Sequence, residues 1–349
     1  MTTAAESLDA FCTASRCGWR VKASGGKQRH VSEAIGTIAW YESIRSALAP
    51  NGGVTAVETR VKQLFACADA PHRREADSSE SRERKWRLYK SGSSTPSHEL
   101  VAALDPQIAG VGRVIFDSLV PSLDLRKPAH RLAPLIRFGM PYRLKFTLDL
   151  EEHAGSSIAE MDIGPRFSLI QDSPLAAIAC HIIGLRLALA SGEDRDAFVL
   201  GAWLLRIMIL SWEILKALRV AQPLVTFLDC MLLSEAKLRN TWLRWTADFD
   251  AVEAKHALLR SQLPLGVAGA PQIGPSFVLL TGCIDQRSML TLHSGLLLAG
   301  ERAAYNDEVL SALISTGLAG EAHVHQWHAS ESIDASSPLP PIRVNLDWP

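Results

Sequence analysis

Apolar residues recur at helical spacing along most of this chain. Between Val31 and Ala49, Ile35, Ile38, Ala39, Ile44 and Leu48 recur at helical spacing, with Trp40 and Tyr41 at the edges of the stripe. That pattern predicts a helix capped by Ser32 and stopped by Pro50-Asn51-Gly52-Gly53. Thr55 to Ala68 reads as a second helix that turns Val57, Val61, Leu64 and Phe65 inwards. Ser81 heads a third over RERKWRLYK, in which Trp86 and Tyr89 share a face and Gly92 marks the C-terminus. Thr95-Pro96 then reads as N-cap and first position of a short fourth helix whose Leu100, Val101 and Leu104 would meet Trp86 and Tyr89. Two further helices are predicted from Pro106 to Leu119 and from Pro128 to Phe138.

Strict alternation of apolar and polar positions is clear only over Tyr142 to Leu150, YRLKFTLDL, which predicts a half-buried strand. Its candidate partners are Ser168-Leu169-Ile170, Ser276 to Leu280 and Ile342 to Leu346. From Pro174 the helical period returns, with helices predicted over Pro174–Ala190, from Asp194 or Asp196 past Leu218, and over Pro223–Trp245. Asp248–Leu263, Asp285–Ala299 and Asn306–Leu318 complete the set. The run AFVLGAWLLRIMILSWEIL is long enough for a membrane span, yet Arg206 and Glu213 stand in it, and a central Arg costs about 2.5 kcal/mol or more on insertion scales. A buried central helix with Arg206 and Glu213 on one polar edge is the simpler account, and no membrane partner is expected.

The fold expected is therefore mainly α, a multi-helix bundle with a helix-turn-helix-like N-terminal region and a minor β element near 142–150. The expected divisions are a basic helical region over 1–138 holding the helical pair at 81–105, and a connecting strand and loop segment over 139–173. An acidic helical bundle over 174–320 and a His-containing, proline-rich tail over 321–349 follow.

The pair at 81–105 carries the strongest functional signal. Two short helices joined by a glycine-containing turn fit a helix-turn-helix. On that geometry Arg84, Lys85, Arg87 and Lys90 are candidates for phosphate contact, and Ser97 and His98 would approach bases from the N-terminus of the second helix. Such pairs are also common packing units, and Glu75, Asp77, Glu80 and Glu83 are interleaved with the basic residues. Lys85-Trp86, Tyr89, Gly92 and Pro96 resemble a K-W-x-x-Y-x-x-G-x-x-x-P signature of uncharacterised bacterial proteins. The segment is also loosely similar to the helix-turn-helix of Cro/repressor-like regulators, a resemblance that implies double-stranded DNA as a partner.

Charge sharpens that reading. The chain has a formal net charge of −1, but its first 150 residues hold 22 Lys+Arg against 15 Asp+Glu, and the rest hold 14 against 22. A basic half on an acidic half is compatible with a polyanion-facing module joined to a partner-facing or dimerising one, and equally with two halves that attract each other. The six cysteines are scattered without a CxxC pair, which suggests reduced thiols and a cytoplasmic protein. The opening MTTAAESLDAF lacks a charged n-region before an apolar core, so no secretory signal is expected.

Catalytic signatures are sparse. ASGGKQRH carries a GGK but not the G-x-x-x-x-G-K-[ST] frame, and no G-x-S-x-G, H-E-x-x-H, kinase or dinucleotide motif occurs. Cys180 and His181 are adjacent, but helix neighbours point about 100° apart and read as core residues. His323, His325 and His328 form the one zinc-like group, since imidazole is the commonest zinc-type ligand, though no acid lies within it. The leading expectation is a non-enzymatic DNA-associated regulator with no cofactor and a helical partner-binding or dimerisation region. A protein-protein scaffold without nucleic-acid contact is the second reading, and a metal-dependent enzyme on the histidine cluster is the third.

Overall fold

Helix-forming sequence dominates, and the structure follows it. The computed structural model describes residues 20–22, 28–67, 79–139 and 154–233, with six positions between 252 and 260. The chain divides into two units, residues 1–126 with 215–224, and residues 127–214 with 225–349. The architecture is mainly α with a minor β element. The alternating stretch at 142–150 lies outside the described residues.

The minor β element is a two-stranded hairpin ahead of the first helix. Strands β1 (Arg20–Lys22) and β2 (Gln28–His30) are antiparallel, with Arg20 opposite His30 and Val21 opposite Arg29. The chain passes from β2 straight into α1 (Val31–Leu48), whose cap is His30, not Ser32. The His30 ring Nδ1 accepts from the Ser32 amide at 3.2 Å, doing what a Ser or Asp oxygen does at most helix starts. Trp40 and Tyr41, placed at the edges of the stripe by periodicity, are both fully buried. The reason is tertiary, because α1 is ringed by β2, α2 (Val54–Cys67), α3 (Ser79–Lys90) and the segments 105–108 and 114–123. Gly36 permits one of these approaches, since a Cβ there would stand 2.1 Å from Val120 Cγ2.

Helix α3 starts at Ser79, two residues ahead of the expected cap Ser81. It ends as its sequence predicts. Gly92 takes φ +70°, its amide donates to Tyr89 O at 3.0 Å, and Ser93 N donates to Leu88 O at 2.8 Å. Helix α4 (His98–Leu104) is capped by Ser97, whose Oγ accepts from Leu100 N at 3.3 Å, so Thr95-Pro96 precedes the helix by two residues. The helix expected from Pro106 to Leu119 is broken up. A 3₁₀ turn at Asp105–Ile108 is reversed by Ala109 and Gly110 with positive φ, and α5 (Val111–Arg113) follows. A π-helical turn, Val114–Leu119, then leads into α6 (Val120–Leu123). Pro121 lies in α6 without an N–H to give, and the wider turn before it absorbs the lost bond.

In the second unit, the segment 128–138 forms two 3₁₀ turns (Ala129–Arg131 and Ala133–Leu135) before α7 (Ile136–Gly139). Helices α8 (Ala154–Ala159) and α9 (Ile163–Asp172) follow. The strand candidate Ser168-Leu169-Ile170 is helical, its adjacent Leu169 and Ile170 both buried. At the centre is α10 (Pro174–Ser191), on which α7, α8, α9 and α11 (Asp194–Leu210) all pack. It is closed by Gly192 at φ +74°. By length and composition α10 could cross a membrane, while in this fold most of it is buried against its neighbours. The helix expected to run past Leu218 breaks at Ser211 and restarts as α12 (Trp212–Ala217). The break separates Arg206 from Glu213: Arg206 is fully buried, and Glu213 reaches His256 at 3.7 Å and Arg260 at 3.5 Å. Helix α13 (Ala221–Phe227) begins before Pro223 and passes into a π turn at Leu228–Leu233.

Candidate functional site

The candidate surface is built on α3, and its foundation is aromatic. The Trp40 and Trp86 rings stack with centroids 6.0 Å apart, and Tyr89 stands edge-on to both, at 5.6 Å and 5.5 Å. Such pairs contribute about 0.5–1.5 kcal/mol each beyond their burial, so this face of α3 is held firmly. Burial pushes the Tyr41 hydroxyl up to about 12 and that of Tyr89 upward as well, which keeps both phenols neutral. With Trp86 and Tyr89 inward, helical geometry sends Arg84 and Arg87 to the opposite side and Lys85 to a flank. All three are exposed, whereas Lys90 is half-buried.

The charge of Arg87 is only lightly committed. Arg87 Nη2 lies 2.6 Å from Glu83 Oε1, a pair between a largely exposed Arg and a one-third-exposed Glu. An exposed i,i+4 pair contributes about 0.3–0.5 kcal/mol, little enough for Arg87 to exchange Glu83 for a phosphate. Ser97 is exposed but already serves as the cap of α4, and His98 is exposed at the first position of that helix. The turn between α3 and α4 runs over 91–97, longer than the three or four residues of a compact helix-turn-helix. Helix α3 packs chiefly on α1 and α2, and α4 on the 3₁₀ turn and α5.

What sets that connection is a residue with no local signal in the sequence. Arg29, at the end of the hairpin, donates to Gly92 O, to Thr95 Oγ1 and, at 3.3 Å, to Thr37 Oγ1. Its Nε also lies 3.3 Å from Glu33 Oε2. One buried guanidinium thus ties the turn before α4 to the start of α1 across more than sixty residues of sequence.

Between α2, α3 and this connection lies a cleft of about 400 Å³, within the range of small-molecule sites. Phe65, Trp86, Tyr89 and Leu100 make it apolar, and Lys85 and Ser97 reach its lining. The buried Glu58 is paired there with Lys62 at 2.5 Å, an i,i+4 arrangement on α2.

The second unit holds a different constellation. His181 is fully buried, and its Nδ1 donates to Ala177 O at 2.7 Å while Nε2 accepts from Arg166 Nη1 at 2.7 Å. Burial, then the neighbouring Arg166, lowers its pKa to about 3, against a smaller opposing effect of the Ala177 bond. Arg166 Nη2 also donates to the carbonyls of Ile158, Ala159 and Met161. Burial lowers Arg166 to about 9, still charged at neutral pH. The Arg166 and Arg206 guanidinium carbons lie 4.3 Å and 4.4 Å from the centroid of one indole, Trp203. Cys180 is buried next to His181 in sequence, but its Sγ faces Ile136 O at 3.8 Å, and burial pushes its thiol up to about 12. The two side chains point to different partners and form no dyad.

Among the described residues, no three His, Cys, Asp or Glu side chains converge as metal ligands. His323, His325 and His328 lie outside those residues. Compared with known proteins, the chain matches no family model, no curated protein and no solved structure.

Proposed function

We propose that the N-terminal unit is a non-enzymatic nucleic-acid-contacting module, with Arg84, Lys85 and Arg87 of α3 meeting the phosphates of duplex DNA. The observation that carries this reading is the pairing of exposed cations with a rigid foundation. The three stand on the outer side and flank of a helix whose inner face is locked by Trp86 and Tyr89 into an aromatic core. Cations on an immobilised helix lose less freedom on binding than cations on a loop, and phosphate contacts supply most sequence-independent affinity. His98, exposed at the start of α4, would reach beyond the backbone, and Lys90 would add a weaker contact from the flank.

The test is binding of the purified chain to a generic labelled duplex between 50 and 200 mM salt, beside the Arg84→Ala/Lys85→Ala/Arg87→Ala variant. Each phosphate contact adds about 0.9 to the slope of log affinity on log salt, so three contacts amount to roughly a 40-fold loss of affinity over that range. The variant is expected to bind more weakly and with a slope shallower by up to about 3. Absence of binding by the wild type at 50 mM salt removes the proposal.

A protein-binding role is the second reading. It is favoured by the apolar cleft beside α3 and by the Arg87–Glu83 pair, which cancels part of the exposed charge.

A further inference from the structure

We propose that the second unit encloses a binding site for a small monovalent anion of chloride size, formed by Arg206 and Arg166 around Trp203. The inference is independent of the nucleic-acid reading, which concerns the other unit. It begins with Arg206, which stands in the apolar helix α11 and is fully buried. Its Nε, Nη1 and Nη2 have no hydrogen-bond partner among the described residues. A guanidinium keeps its proton in proteins, so its five N–H bonds are charged donors removed from water, with no acceptor among the described residues. A buried charge with nothing to balance it is among the least favourable arrangements in a folded chain.

The neighbouring groups do not balance it. The face of Trp203, 4.4 Å from the Arg206 guanidinium carbon, attracts a cation but accepts no conventional N–H bond. Burial, and after it the charge of Arg166, whose guanidinium carbon is 4.3 Å from the same ring, disfavours the charged form of Arg206. Arg166 spends Nη1 on His181 and Nη2 on three carbonyls, all neutral groups. Its Nε is buried and unpartnered like those of Arg206. Two cations that share one indole therefore present four buried nitrogens without acceptors among the described residues.

An acceptor that satisfies these donors must be negative, small, and without a polar remainder that would itself need partners. Trp203, Leu204, Leu205 and Ile207, on the same stretch of α11, are all buried. A halide meets the three conditions, because it accepts N–H bonds from any direction and brings a unit charge. No covalent step is involved: the ion enters with the folding chain and is held by Coulomb attraction and N–H donation.

The experiment compares thermal unfolding of the full chain in sodium chloride and in sodium gluconate at matched ionic strength, for the wild type and for Arg206→Met. Ligand linkage predicts that the wild-type Tm rises by roughly 3–5 °C for each tenfold increase in chloride above the dissociation constant, and does not rise with gluconate. In Arg206→Met the two salts become equivalent. In gluconate alone the variant melts above the wild type, because an apolar side chain has replaced an unbalanced cation. Equal wild-type melting in the two salts overturns the proposal, as does chloride dependence that survives in Arg206→Met. Equilibrium dialysis of the wild type against radiolabelled chloride provides a measurement that needs no variant. About one tightly held ion per chain supports the site, and none overturns it.

Discussion

Lowering the pH from 7 to 5 should destabilise α10 and its neighbours through one residue, His181. The network assigns its proton to Nδ1, which donates to Ala177 O, and leaves Nε2 to accept from Arg166 Nη1. A second proton would have to go on Nε2, and would turn an acceptor into a donor aimed at a guanidinium inside a fully buried site. That is the physical content of a pKa lowered to about 3 from 6.5. The folded value lies below the unfolded one, so below pH 6.5 the unfolded chain takes up a proton that the folded site refuses. The stabilising contribution is complete above pH 6.5 and is lost as pH falls toward 3. At 1.36 kcal/mol per pH unit, the loss between pH 7 and pH 5 comes to about 2 kcal/mol. Native-state hydrogen exchange of peptides from Pro174–Ser191 reads this locally, which suits a chain of two units better than a global melt. His181→Gln keeps an oxygen for Arg166 and removes the titration. Its α10 peptides should be less protected than wild type at pH 7, and their stability should change by about 2 kcal/mol less between pH 7 and 5. If both proteins change equally over that range, His181 is not held neutral by its burial beside Arg166 and the assignment of its proton is wrong.

Two further outcomes test the fold around the candidate surface and the state of the central helix. Gly92→Ala should cost about 1–3 kcal/mol in denaturant unfolding, because φ +70° strains any side chain and a Cβ there would lie 3.0 Å from Ala34 O. An unchanged midpoint would mean that the turn after α3 relaxes freely and that Arg29 does not hold it. Cys180, buried and with its thiol pushed up to about 12, should resist alkylation in the native chain at pH 8 and react on unfolding. Peptide mass spectrometry over 174–191 follows that single site, and rapid native labelling would contradict its packing against Ile136.

The helical period of the sequence was sufficient to specify the class of fold and the positions of α1, α2, α3 and α10 to within about two residues. Those stretches combine strong periodicity with local stop signals, Gly92 and Gly192 in the left-handed region. The same local logic placed Trp86 and Tyr89 on the buried side of α3 and left Arg84, Lys85 and Arg87 outside. Elements failed to follow the pattern where a neighbour outweighed local preference. Ser168-Leu169-Ile170 reads as a strand fragment, but a helix there buries Leu169 and Ile170 in the unit built around α10. The stretches expected to form helices from Pro106 and Pro128 instead begin as short 3₁₀ turns.

Only the tertiary structure decided which polar residues matter inside. Arg29 sits in a segment with no periodic signal, and its role exists because α1, Gly92 and Thr95 arrive at one guanidinium from distant parts of the chain. Arg206 was legible as a charge in an apolar run, but a helix drawn straight to Leu218 gave it Glu213 as company on one polar edge. The break at Ser211 ends that relation and leaves Arg206 with Trp203 and Arg166, the second supplied by α9. Helical spacing is a local property and reports which face a residue occupies. Whether that face meets water, an aromatic ring or a second cation depends on contacts that close loops of tens of residues, and those appear only once the chain has packed.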